Sequence, residues 1–127
     1  MMEKKSPIRV LVVDDAPFLR GMVKYFLAHG GYEVCGEAGS GELAIELFSR
    51  LSPDLVIMDI IMPDMNGVEA VREIRNIDPS ARILMLSAIS NKPVVSLALE
   101  MGAMDFLAKP FKREAFLQKV GQIMRQS

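Results

Sequence analysis

Five short, mainly apolar runs separated by stretches of helical periodicity leave this chain few ways to fold. The most constrained of them is Leu55-Val56-Ile57-Met58, four consecutive apolar residues that end on a carboxylate, Asp59, before the chain turns through Met62-Pro63 and Asn66-Gly67. A run this short reads as a strand buried on both faces, the mark of a parallel sheet. The other strands are expected at Ile8 to Val13, Tyr32 to Ala38, Arg82 to Leu86 and Met104 to Ala108, and the mixed composition of Tyr32 to Ala38 suits an edge. A helical pattern follows each strand, so right-handed crossovers lay helices on both faces of one parallel sheet.

The helices announce themselves by spacing and by their ends. Between Ala16 and His29 the apolar pattern Phe18, Met22, Val23, Phe26 and Leu27 repeats at helical spacing, with Pro17 in the first turn and Gly30-Gly31 beyond the last. His29 suits the exposed carbonyls of that last turn. Ser40 is an expected N-cap for a helix carrying Leu43, Ala44, Leu47, Phe48 and Leu51, and Asn66 for one carrying Val68, Val71, Ile74 and Ile77. A fourth helix is expected from about Asn91 to Met101, ending at Gly102, and a fifth from about Lys112 to Met124 with Ala115, Phe116, Val120, Ile123 and Met124 inward. In the fourth, Val94, Ala98 and Met101 make the buried stripe and Val95 and Leu99 lie one position round it, where exposure would create a docking surface.

With 127 residues, residues 1–127 form one domain, and no linker or repeat interrupts the alternation. Cys35 is the only cysteine, which excludes an internal disulfide and a cysteine metal cage; it reads as a small strand residue. A net charge of -1 with both signs interspersed offers no basic stripe for a phosphate backbone, so direct nucleic-acid binding is not expected. The apolar runs are too short to span a bilayer and the N-terminus lacks a secretion signal, which implies a cytoplasmic protein with no membrane insertion. Ten methionines with no tryptophan point to adaptable core packing.

All strands of a parallel sheet point the same way, so residues at their carboxyl ends converge, and that edge is where such sheets bind ligands. The first strand ends at Asp14-Asp15, the third at Asp59, the fourth at Ser87-Ala88 and the fifth at Lys109-Pro110. Three carboxylates brought together repel unless a cation joins them. A hard, oxygen-seeking ion such as Mg²⁺ resolves the conflict, and Mg²⁺ prefers to share its shell with phosphate oxygens. Lys109 offers an ammonium to a phosphoryl group and Ser87 a hydroxyl.

With those residues in place, nearly the whole chain closely resembles the receiver domain of two-component response regulators. The motifs that carry the resemblance are Leu11-Val12-Val13-Asp14-Asp15, Met58-Asp59 with Met62-Pro63 and Asn66-Gly67, Ser87-Ala88, and Phe106-Leu107-Ala108-Lys109-Pro110-Phe111. Asp14-Asp15-Ala16-Pro17-Phe18-Leu19-Arg20 is most similar to the chemotaxis branch, the CheY-like single-domain regulators. The resemblance implies a flavodoxin-like, doubly wound α/β fold in three layers with strand order 2-1-3-4-5. It implies that Asp59 accepts a phosphoryl group from a histidine kinase, and that Mg²⁺ is held by Asp14, Asp15, Asp59 and the backbone carbonyl of Ile61. Lys109, Ser87 and the backbone of Ala88 would bind the phosphoryl group, Ser87 and Phe106 would act as the switch, and the bond before Pro110 would be cis.

Ser87 stands where threonine is frequent in the family, keeping the hydroxyl without the methyl. Phe106 stands where tyrosine is frequent, so a switch that buries the ring remains open and one that needs its hydroxyl does not. The output implied is a protein target on the face of the fourth helix, fifth strand and fifth helix, from a monomer or a weak phosphorylation-dependent dimer that is a signalling switch rather than an enzyme. The alternative is the receiver of a larger regulator with a DNA-binding or enzymatic output. A phosphohydrolase with an aspartyl-phosphate intermediate would instead place Asp-x-Asp after the first strand, and a flavin carrier would need a phosphate loop where Asp14-Asp15 would repel one. Ile61 and Ile89, each two residues beyond a site residue, carry no polar side-chain atoms to orient a water, so slow hydrolysis of an aspartyl phosphate is expected.

Overall fold

The computed structural model describes residues 6–62, 64–65, 67–88 and 92–126. Pro63, the expected Asn66 cap, Ile89 and the expected helix start at Asn91 lie outside the described residues. Strands β1 (Arg9–Val13), β2 (Glu33–Ala38), β3 (Leu55–Asp59), β4 (Ile83–Ala88) and β5 (Asp105–Lys109) alternate with helices α1 (Pro17–His29), α2 (Gly41–Leu51), α3 (Gly67–Ile77), α4 (Lys92–Met101) and α5 (Arg113–Arg125). The strands form one sheet in the order β2-β1-β3-β4-β5, every neighbouring pair parallel. This is the flavodoxin-like arrangement expected from the sequence, with β2 on an edge.

Alternation along each central strand divides the core in two. Leu11, Val13, Val56, Met58, Ile83 and Met85 face α2, α3 and α4, where Phe48, Val71, Ile74 and Ala98 meet them. Val10, Val12, Leu55, Ile57, Leu84 and Leu86 face α1 and α5, meeting Leu27, Phe116, Val120 and Ile123. Both faces of β3 are therefore covered, which is why its run is unbroken.

Local chemistry sets the ends of the elements. Ser40 Oγ accepts a bond from the Leu43 amide at 3.2 Å, capping α2. Pro17 opens α1, and the chain leaves it through Gly31, whose φ of 85° lies in the left-handed region that favours glycine. Gly67 opens α3 where the backbone of Ile60 comes so close that an added Cβ would lie 2.7 Å from Ile60 Cα. At the far end of the sheet, Arg82 reaches from the foot of β4 to the last carbonyls of α5, donating to Met124 O at 2.8 Å and Gln126 O at 2.6 Å.

Several side chains depart from the faces that periodicity assigns them. Phe18 is 82% exposed, because Val23 and Leu27 carry the buried face of α1. Leu43, Ile77 and Ala115, each at the margin of its helix's apolar arc, are also exposed. In α4 the expected division is partly reversed: Val95 is buried with Ala98, Val94 and Met101 pack half-buried beside them, and Leu97 and Leu99 face outward. The buried arc is wider than one stripe, so it takes in Val95 and leaves Leu99 out. β4 runs two residues past Leu86 because Ser87 and Ala88 pair with Ala108 and Lys109.

No helix of the described residues is long and apolar enough to cross a membrane. Between α1 and α5 the rings of Phe26, Phe111 and Phe116 cluster, Phe111 stacking on Phe116 at 5.6 Å with 19° between planes and Phe26 at 6.0 Å from Phe116. Phe116 is wholly buried there. Replacing it with alanine is expected to cost about 3–5 kcal/mol of stability, read from the midpoint of urea unfolding.

Candidate functional site

Asp14 follows β1, Asp59 is the last residue of β3, Ser87 lies near the end of β4 and Lys109 ends β5. Because these strands are parallel, the four side chains reach one rim. Asp14, Asp15 and Asp59 each offer a carboxylate oxygen, and those atoms lie within 4.8 Å of one another. Lys109 Nζ lies 3.3 Å from Asp59 Oδ1 and 3.7 Å from Asp14 Oδ2. Asp14, Asp59 and Ser87 are buried, whereas Asp15 is exposed at the mouth.

Each carboxylate is held differently. Asp14 Oδ1 accepts from the Ala16 amide at 2.9 Å, while its buried Oδ2 has no hydrogen-bond partner among the described residues. Asp59 Oδ1 accepts a long bond of 3.4 Å from the Ile61 amide. Burial is the main influence on the Asp59 carboxyl and raises its pKa above the ordinary range; the Lys109 ammonium opposes that shift and the Asp14 carboxylate adds to it. The Ser87 hydroxyl donates to the Ala88 carbonyl at 3.1 Å. Phe106 is half-buried against the core shared with α4, and the Lys109-Pro110 bond is cis.

These residues fit a hard divalent cation. A buried carboxylate oxygen that accepts no hydrogen bond is costly, one ammonium at 3.7 Å does not balance three carboxylates, and the converging metal-ligand candidates among the described residues are all carboxylate oxygens. The structure thus brings together Asp14, Asp15, Asp59 and Lys109, with Ser87 near the same end of the neighbouring strand β4. Ile61, whose carbonyl the family resemblance assigns to the ion, is the second residue after β3 and is 53% exposed.

Two contacts escaped the sequence reading. Arg20 Nη1 donates to the carbonyl oxygen of Asp14 at 2.6 Å, and the Asp64 carboxylate accepts from the amides of Gly41 and Glu42 at 2.9 and 3.0 Å. Arg20 entered only as part of a motif, and Asp64 was given no role. Both bonds join segments distant along the chain or rely on the direction of a long side chain, which spacing does not reveal.

Residues 10–121 match the model of the response regulator receiver domain. The chain belongs to that family. A chemotaxis protein CheY from Thermotoga maritima is 44% identical over 117 residues, covering 92% of this chain and 98% of the relative. The receiver domain also superposes on a chain of the crystal structure of the CheX-CheY-BeF3-Mg+2 complex from Borrelia burgdorferi with a TM-score of 0.90 at 31% identity, covering 94% of this chain and 91% of the other. The transcriptional regulatory protein TrcR of Mycobacterium tuberculosis is 37% identical over 122 residues, and the match spans 96% of this chain but 47% of TrcR. Matching sequence thus occurs both in a relative of similar length and within a longer one.

The raised Asp59 carboxyl has a measurable sign. Between its unfolded and folded pKa values the native state binds more protons than the unfolded chain, so stability falls as pH rises through that window. Above the window the full cost of the buried charge is present. Asp59→Asn is therefore expected to melt above the wild type in metal-free buffer at neutral pH. The gap should close as the pH falls below the ordinary aspartate value, as read from paired thermal melts across pH.

Proposed function

We propose that this receiver domain, spanning residues 1–127, is a cytoplasmic signalling switch that accepts a phosphoryl group on Asp59 from the phosphohistidine of a kinase. The observation that carries the reading is the Lys109 ammonium 3.3 Å from Asp59 Oδ1, beside three carboxylates gathered within 4.8 Å. In the transfer, the histidine P–N bond breaks as a P–O bond forms to the Asp59 carboxylate, and the imidazole leaves. A carboxylate is a weak nucleophile, so the protein's contribution is alignment and the neutralisation of charge. Asp14, Asp15, Asp59 and the Ile61 carbonyl would hold Mg²⁺, which supplies positive charge to the phosphoryl oxygens when bound. Lys109 pairs with another of those oxygens.

Ser87 supplies the response. Its hydroxyl, now donating to Ala88 O, turns to donate to the new phosphoryl group, with the Ala88 backbone beside it. Phe106 follows inward as the ring of the switch, and the face built from α4, β5 and α5 changes shape for a protein target. The outward Leu97 and Leu99 of α4 support a docking role for that face. High identity to a CheY over nearly its full length supports a stand-alone chemotaxis-type role without direct nucleic-acid binding, as a monomer or a weak phosphorylation-dependent dimer. The partial coverage of TrcR supports a second reading, in which the domain serves a larger regulator.

Incubation with Mg²⁺ and a small phosphodonor, followed by intact mass, is expected to add one phosphoryl group to the wild type and none to Asp59→Asn. An unchanged wild-type mass overturns the assignment. Ile61 exposes an apolar side chain beside the acceptor and gives a water no polar partner, so the phosphorylated form is expected to hydrolyse slowly. Ile61→Asn should then shorten its lifetime several-fold in a time course of phosphate release, and an unchanged lifetime counts against this role for Ile61.

A further inference from the structure

Arg20 leaves α1 toward the back of the acidic rim, with only 22% of its side chain exposed. Its Nη1 donates to the Asp14 carbonyl at 2.6 Å and its Nε to Glu37 Oε1 at 3.3 Å. Glu37 is fixed in turn by Lys24, whose Nζ donates to Oε2 at 2.8 Å. The amide of Asp14, on the other side of the same residue, donates to Ala38 O at 3.0 Å. Asp14 is thus tied by its N–H to β2, by its C=O to a guanidinium braced on β2, and by Oδ1 to the Ala16 amide.

The carbonyl that Arg20 holds belongs to the peptide joining Asp14 to Asp15. Its orientation sets the direction in which Asp15, exposed at the mouth, sends its carboxylate. We infer that Arg20 is a positioning residue for the divalent cation: braced by Glu37, it fixes the Asp14-Asp15 peptide so that both carboxylates face the ion together with Asp59. This rests on the reading of the rim as a Mg²⁺ site. Guanidinium geometry suits the task, since one planar fork serves the carbonyl and the carboxylate at once, which a lysine ammonium cannot reproduce.

The sign of the effect separates positioning from simple electrostatics. A positive charge behind a cation site repels the cation, so removing it would tighten binding if its field were all that mattered. Loss of positioning loosens binding instead. Outer-shell partners of metal ligands typically govern affinity by one to two orders of magnitude.

The experiment is Mg²⁺ titration by calorimetry on the full chain and on Arg20→Gln, Arg20→Lys and Glu37→Gln, each with a metal-free thermal melt. Arg20→Gln should weaken Mg²⁺ about tenfold while still unfolding cooperatively. Arg20→Lys should recover part of that loss, because an ammonium reaches one partner but not both. Glu37→Gln, which keeps the Arg20 charge and slackens its brace, should weaken Mg²⁺ by a smaller factor. Arg20→Gln binding as tightly as the wild type, or more tightly, overturns the inference and leaves the Mg²⁺ site standing; a wild type that binds no Mg²⁺ overturns both. Should Arg20→Gln fail to fold, Arg20→Lys and Glu37→Gln decide, and wild-type affinity in both overturns the inference.

Discussion

A carboxylate held out of water at the end of a buried strand is unfavourable unless positive charge faces it, and the receiver domain is arranged around that fact. Asp59 is 8% exposed and its closest described cation is the Lys109 ammonium. One lysine against Asp14, Asp15 and Asp59 leaves negative charge in excess at the rim. That excess, with Asp14 Oδ2 accepting no hydrogen bond among the described residues and Lys109 its nearest charge at 3.7 Å, suits a divalent ion. The same imbalance that weakens the fold without a ligand prepares the rim to receive one.

The sheet makes this tolerable by supplying the charges from separate strands. Asp59 comes from β3, Lys109 from β5 and Ser87 from the strand between them, each fixed by parallel pairing and by apolar packing on both faces. No segment has to bend to reach the rim. Register alone sets Ala88 opposite Lys109 and Asp59 opposite Leu86, so the spacing among the polar ends follows from backbone pairing.

The layering and the converging ends of β1, β3, β4 and β5 were legible in the sequence, because each of those four strands is a short, mainly apolar run that leads into a polar residue, whereas the strand order came from the family resemblance. Ser40 was legible as a cap because its bond to Leu43 spans only three residues. Side chains at the margins of helical arcs were not. Phe18 continues an apolar spacing yet faces outward, and Val95, set beside the expected stripe of α4, is buried, because helix rotation is decided by the whole packed surface and not by one repeat. Arg20 was equally opaque: its partners lie on the β1–α1 turn and on β2, and nothing local in α1 distinguishes an arginine that folds inward from one that projects into water.

The bonds from the amides of Gly41 and Glu42 fasten Asp64, beyond β3, to the first turn of α2. Met65 fills the space above Gly41, where an added Cβ would lie 2.3 Å from its Cγ. On this flank the loop is tied to an 11-residue helix that Phe48 and Ala44 anchor in the core. Ser87, by contrast, spends its hydroxyl on the carbonyl of its own neighbour, and exchanging that acceptor uproots nothing else. One flank of the rim is thus bonded across to α2, while the Ser87 hydroxyl on the other is bonded only to the backbone beside it, so a rearrangement on the β4 side breaks fewer long-range ties.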